Sequence, residues 1–277
     1  MPILSGVSGN ALQSLTAVDS WISTLNSTVS GAARTGYKTS KITFGGGTTR
    51  IDKPSQNGQL GIQFAEQALN VGSTNVDYSE GQVVASTEFT HLAINGNESA
   101  FFVLTDDATG TFPATARYYL TRDGEFHRDI NGRMVSQDGL FLVGRDNVNA
   151  VALANPNTAN PNDPEAGMAT MIDAFNNNTP GLMRVQTTLV TDLQSLKFSK
   201  FGATVFEMTN PLLQPTLNSA TGTSSAVHIT GNALEASNVQ LPSSLTELSL
   251  AQKIYSALTK VIQIDQQKLD NILNLIR

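Results

Sequence analysis

The sequence predicts an α+β protein, mainly β, in which discontinuous β domains are inserted between N- and C-terminal α-helices that pair as a coiled-coil-like core. Three observations lead there. Apolar residues recur at helical three-four spacing at both ends of the chain. The middle alternates short apolar runs with Asx-Gly pairs. Between the ends, from Ala32 to Leu234, lies sequence rich in Gly, Thr and Asn. The expected organisation is residues 1–33 with 241–277 as a helical core, 34–80 with 190–240 as an extended or β connector, and 81–189 as a central antiparallel β domain.

At the N-terminal end, Leu4, Ala11, Leu15, Val18, Ile22, Leu25 and Val29 mark one face of a helix, and Asp19 is the only charged side chain up to Ala33. Gly31 is a natural stop. Ser, Thr and Asn cover the opposite face and are mediocre helix formers, so this helix depends on packing for its stability. The C-terminal helix is its simplest partner.

The connector from Arg34 to Gly72 reads as extended chain, with turn signals at Gly45-Gly46-Gly47 and Asn57-Gly58. From Gly81 to Gly144, apolar runs are punctuated by Asp123-Gly124, Asn131-Gly132 and Asp138-Gly139, three pairs suited to tight hairpins. An antiparallel meander or partly closed barrel is expected. In Phe101-Phe102 and Tyr118-Tyr119, strand alternation places one member toward the core and the other outward. Residues 154–180, with Asn155-Pro156, Asn160-Pro161 and Asn176-Asn177-Asn178, read as a loop-rich excursion holding a helical turn near Met168–Phe175. Strand-like runs resume at Met183–Val190, Ala203–Met208 and Val227–Ile229.

The C-terminal stripe is the longest pattern in the chain. Leu245, Leu248, Ala251, Tyr255, Leu258, Ile262, Leu269, Ile272 and Ile276 step by three and four with one polar miss. Ser244 with Glu247 has the form of a capping box opening the helix. From Leu245 to Leu275 the helix spans roughly 45 Å at about 1.5 Å per residue. A stripe of that length calls for a partner.

The chemistry-bearing residues are sparse. The formal charge of −6 and pI near 5.0 give no basic field for nucleic acid or an anionic membrane. With no cysteine, disulfides, thiolate zinc sites and cysteine nucleophiles are excluded. No basic and apolar leader opens the sequence, and no apolar run approaches a membrane span. His91, His127 and His228 form no metal-binding spacing. Gly31 to Thr39 resembles a P-loop with one residue too many, and it follows an amphipathic helix where a buried strand is needed. Catalytic residues, metal sites and cofactors are therefore not expected.

A family resemblance emerges from three stretches. Gly231-x-x-Leu234-Glu235-x-Ser237-Asn238-Val239, Ala251-Gln252-Lys253-x-Tyr255 and Leu269-Asp270-x-x-Leu273-Asn274-Leu275 resemble the C-terminal signature of bacterial flagellar rod and hook proteins. In the middle, Leu92-x-Ile94-x-Gly96 and Tyr119-x-Thr121-Arg122-x-Gly124-x-Phe126 look like that family's β-domain motif. Near the N-terminus, Thr35-Gly36-Tyr37-Lys38 is similar. Gln240 stands where the family commonly has Asp, and Asn97-Glu98-Ser99-Ala100 replaces a glycine-rich approach to the Phe pair. The resemblance implies a structural, non-enzymatic subunit of the flagellar basal body, rod or hook, periplasmic or extracellular. It implies export without a cleaved signal through the flagellar type III machinery, and terminal helices that assemble with copies of the chain and other axial subunits and transmit torque.

The interface residues expected on that basis are Leu15, Val18, Ile22, Leu25, Val29, Leu245, Leu248, Tyr255, Leu258, Ile262, Leu269, Ile272 and Ile276. Two other readings stand beside it. One is a surface or adhesive binding module whose helices form an intramolecular stalk. The other is a glycan-acting enzyme using Glu125, Asp129 or Asp138, for which no supporting constellation is visible.

Overall fold

The computed structural model describes residues 6–46, 50–51, 63–64, 68–107, 117–145, 151–153, 156, 160, 162–177, 179, 182–208 and 227–275. The chain divides into two units: unit 1 comprises Met1–Ser30, Ser40–Asp77 and Gln240–Arg277, and unit 2 comprises Gly31–Thr39 and Tyr78–Val239. Both units are discontinuous in sequence, and the architecture is mixed helix and sheet, with terminal helices and central antiparallel sheets.

Unit 1 contains α1 (Gly6–Gly31), β1 (Ser40–Gly46), β2 (Arg50–Ile51), β3 (Gln63–Phe64) and β4 (Leu69–Val76). Its last element is the C-terminal helix, Leu241–Leu275. Among the described residues of the stretch expected as extended connector, β1 pairs antiparallel with β4 as a β ribbon, from Ser40↔Val76 to Gly46↔Leu69. The ribbon meets α1 through polar, aromatic and aliphatic contacts, Leu69 packing on the cluster that holds Val18 and Leu25. Gln13 Nε2 donates to Asn70 Oδ1 at 2.8 Å and Leu69 N donates to Ser14 Oγ at 2.9 Å. Trp21 meets Phe44 edge to face at 5.4 Å.

Unit 2 is built on β5 (Val83–Ala85), β6 (Leu92–Asn95), β7 (Ala100–Thr105), β8 (Tyr118–Thr121), β9 (Phe126–Arg128), β10 (Met134–Ser136) and β11 (Phe141–Arg145). These are followed by β12 (Val151–Leu153), α2 (Pro164–Asn176), β13 (Arg184–Val185), β14 (Thr187–Leu189), β15 (Leu196–Ser199), β16 (Gly202–Met208), β17 (His228–Gly231) and β18 (Ala233–Glu235). The main sheet runs β15-β16-β8-β7-β11-β10-β9, while β17 pairs with β6 and β18 with β5. The C-terminal helix, third in chain order, is α3.

The strand β7 is buried along its whole length, which corrects the expected alternation. Phe102 packs into the main core with Leu92, Leu104, Phe126 and Ile229, and Phe101 is equally buried against Tyr78 and Phe206 on the other side. A strand covered on both faces carries apolar residues at consecutive positions, so alternation fails there.

Two of the three Asx-Gly pairs make hairpins. Gly132 at φ 81° joins β9 to β10, and Gly139 at φ 80° joins β10 to β11. Asp123-Gly124 is different: its glycine is required because a Cβ would collide with the Leu92 carbonyl. The helical turn near Met168–Phe175 is a full helix of 13 residues. Asp163 caps it by accepting from Ala166 N at 3.2 Å, and Pro164 occupies its first turn. Met168, Met171, Ile172 and Phe175 anchor it in the core.

The capping box is also corrected. α3 begins at Leu241, three residues ahead of Ser244, with Pro242 in the first turn where its missing N–H costs nothing. Ser244 Oγ donates back to Gln240 O at 3.2 Å, and Glu247 faces Ser243 Oγ at 3.4 Å.

Candidate assembly surface

The expected interface residues separate into covered and exposed groups within unit 1. Val18 and Leu25 on α1 and Ala251 on α3 form a buried cluster, with Trp21, Ile22, Leu69, Leu248, Ile254 and Leu258 packed around it. Leu15, Val29 and Ile262 are half-buried. Burying each Val or Leu contributes about 1.5–3 kcal/mol.

Leu245, Tyr255, Leu269 and Ile272 remain exposed on α3, and Ile272 keeps 54% of its surface. Ile276 lies outside the described residues. α1 has 26 residues and α3 has 35, so α3 is longer by roughly 14 Å at about 1.5 Å per residue.

A second apolar face of α3 was not anticipated. Leu250, Ala257, Val261 and Ile264 recur at spacings of seven, four and three, and all are exposed. At 100° per residue they lie about a quarter turn from the row that meets α1. The same three-four rule marks them in the sequence as a second row.

A buried charge cluster occupies unit 2. Lys38 Nζ lies 2.6 Å from Glu235 Oε1 and donates to Ser79 O at 2.7 Å. Gly81 N donates to the same carboxylate at 2.9 Å. Arg122 Nε is 3.0 Å from Glu235 Oε2 but off the hydrogen-bond direction, so this contact is an ion pair only. The other Arg122 nitrogens donate to Ala100 O at 3.0 Å, Asn97 O at 3.2 Å and Glu80 Oε1 at 3.3 Å. Burial pulls the Lys38 ammonium below its ordinary value, with the attraction of Glu235 opposing it.

The cluster sits where the chain enters and leaves unit 2. Thr39 N and Oγ1 both donate to Asn238 Oδ1 at 2.8 Å, and Asn238 Nδ2 reaches Ser79 O and Oγ at 3.2 and 3.1 Å. Gly36 N donates to Glu235 O at 2.8 Å. The motifs Thr35-Gly36-Tyr37-Lys38, Arg122-x-Gly124 and Leu234-Glu235-x-Ser237-Asn238 therefore meet in space.

Beside it, Thr35 Oγ1 donates to Asp123 Oδ1 at 2.5 Å. Desolvation pushes the Asp123 carboxyl above its ordinary value, against the hydrogen bonds from Thr35 and Glu125 N. A carboxyl raised in the folded state stabilises fully below its unfolded value and loses that contribution as pH rises through the folded one. Asp123→Asn keeps an acceptor and removes the charge. Urea unfolding at pH 4 and pH 7 should show the variant gaining stability relative to the wild type at the higher pH.

Two of the other candidate groups have structural partners. His91 Nδ1 is 2.7 Å from Ser86 Oγ, and Asp129 pairs with Arg133 Nη2 at 2.7 Å. Among the described residues, no group of three or more acids or histidines could hold a metal, and no helix is long and apolar enough to cross a membrane.

The family described as "Flagellar basal body rod FlgEFG protein C-terminal" matches residues 230–275, which hold β18, the Glu235 and Asn238 contacts and α3. The chain is 26% identical to the flagellar basal-body rod protein FlgG of Bacillus subtilis (strain 168), an alignment covering 99% of this chain and 98% of that protein. It is 30% identical over 146 residues to the flagellar hook proteins FlgE of Brucella abortus biovar 1 and Brucella suis biovar 1, covering 51% of this chain and 31% of each hook protein.

Proposed function

We propose that this chain, whose matches support a flagellar rod and hook family, is a structural subunit of the flagellar axis that polymerises through its terminal helices. The observation that carries the reading is the surface of α3. One apolar row meets α1, while Leu250, Val261 and Ile264 on a second face, and Leu269 and Ile272 further along, stay open to solvent. A helix apolar on two sides needs neighbours on two sides, and an exposed area of this kind marks a protein contact.

Coiled-coil-like packing of α1 and α3 against those of neighbouring copies supplies the cover, and other axial subunits are partners of the same chemistry. Heterologous contacts repeated by rotation and rise build an open helical tube. Such a tube carries torque through its packed helices. Its place is the basal body or hook, reached through the flagellar type III export machinery. The reading needs no catalytic group. An intramolecular stalk leaves the second face of α3 without a purpose.

The test is concentration-dependent assembly of the full chain, followed by sedimentation and electron microscopy. Wild type is expected to form filaments or large oligomers. Ile264→Asp and Ile272→Asp, at exposed positions, should raise the concentration needed by about tenfold or more while leaving the circular dichroism spectrum unchanged. Assembly of both variants at the wild-type concentration would sink the helix-face reading.

A further inference from the structure

Unit 2 carries an apolar knob and an apolar groove on separate elements. The knob is Ile130, fully exposed at the tip of the β9–β10 hairpin. An isoleucine held entirely in water has no role in the fold of its own unit, yet its backbone is fixed with care. The Asp129 carboxylate accepts from Asn131 N and Arg133 N, both at 2.8 Å, and from Arg133 Nε at 2.9 Å. Asp129 N donates to Arg133 O at 2.9 Å, and the Arg133 guanidinium lies over the Phe141 ring at 4.5 Å. The side chain is thus presented on a rigid turn, which lowers the entropy cost of burying it.

The groove has a volume of about 460 Å³ and is lined by Ala32, Ala33, Val84, Ala85, Leu234 and Ala236. Four of these are alanines, so the hollow exists because side chains are short there. Val84 keeps half of its surface exposed along its wall. Charge favours the same match. The hairpin carries Arg128 and Arg133 against Asp129. At the groove, Glu88 follows the lining residue Thr87, and Asp123 and Glu125 reach the hydroxyl of the lining residue Thr35, while Arg34 is the one cation among the described lining residues.

We propose that Ile130 of one copy seats in this groove of a second copy, a head-to-tail contact made by the β units. Joined head to tail, two copies leave one knob and one groove unfilled at the ends, so the contact propagates. An aliphatic anchor in a small-residue pocket, steered by opposite charge around it, is the form of a specific contact. The proposal rests on the self-association described above and adds to it a contact that does not involve the terminal helices.

Because the chain contains no cysteine, the contact can be trapped directly. The full-length double variant Ile130→Cys with Ala85→Cys, assembled and then oxidised or treated with a short bis-maleimide, should give a ladder of covalent multimers. Neither single variant should give one. Ile130→Asp should raise the concentration needed for assembly by about tenfold, with the thermal transition unchanged. If the double variant assembles but cross-links no more than the single variants, the knob-and-groove contact is wrong and self-association stands. If the wild-type chain forms no assembly at any concentration, both fall.

Discussion

Glu235→Leu is expected to lower the stability of unit 2 by about 3–5 kcal/mol, the cost of stranding buried charges by removing their partner. The carboxylate holds Lys38 at 2.6 Å and Arg122 at 3.0 Å and accepts from Gly81 N. Without it, two buried cations face each other and a backbone donor loses its acceptor. Hydrogen exchange at Phe102 and Ile229, both in the main core, measures the loss. Adding Lys38→Met to Glu235→Leu should return part of it, since the second change removes one uncompensated charge. Equal destabilisation of the single and double variants would show that the cluster is not the source of the effect.

Leu25→Asp should cost unit 1 about 4 kcal/mol or more, the sum of a lost core side chain and a carboxylate placed among Val18, Ala251 and Leu248. The readout is built in. Trp21 is the only tryptophan of the chain and packs against Phe44 inside unit 1. Its emission should shift to the red in Leu25→Asp, while exchange at the β7 amides stays protected. Glu235→Leu should give the reverse pattern. A Trp21 spectrum unchanged by Leu25→Asp would mean that Leu25 does not hold α1 in place.

Much of this arrangement is legible in the sequence, and the reasons differ by element. α1 and α3 declare themselves because packing against one partner selects apolar residues every three or four positions. The Asn131-Gly132 and Asp138-Gly139 turns are equally plain, since only a few residues accept the backbone angles of a tight hairpin. Asp123-Gly124 has the same spelling and a different cause, the close approach of the Leu92 backbone. Helix α2 was hidden by its neighbours: Asp163-Pro164 is a good helix start, but the adjacent Asn-Pro pairs read as loop.

The charge cluster shows a different limit. Nothing local to Lys38 indicates that its partner lies 197 residues away, because a salt bridge leaves no periodicity. Only the family resemblance drew attention to those residues, and it gave no reason for them. On α3, Leu250 and Ile264 belong to a second exposed apolar row. Two apolar rows on one helix overlap in the sequence, and the longer one masks the other.

The distance along the chain between Lys38 and Glu235 also sets an order in time. β17 and β18, which pair with β6 and β5, come from the same late segment as Glu235. Closing so large a loop adds only a slowly growing entropy cost, about 3/2 RT ln n. The greater effect is on rate, because contacts of high sequence separation form late. A chain that emerges N-terminus first therefore holds Lys38 and Arg122 without their common carboxylate until residue 235 appears. Until then the β unit lacks two strands and its central counter-charge, and its native state becomes reachable only once residue 235 has emerged.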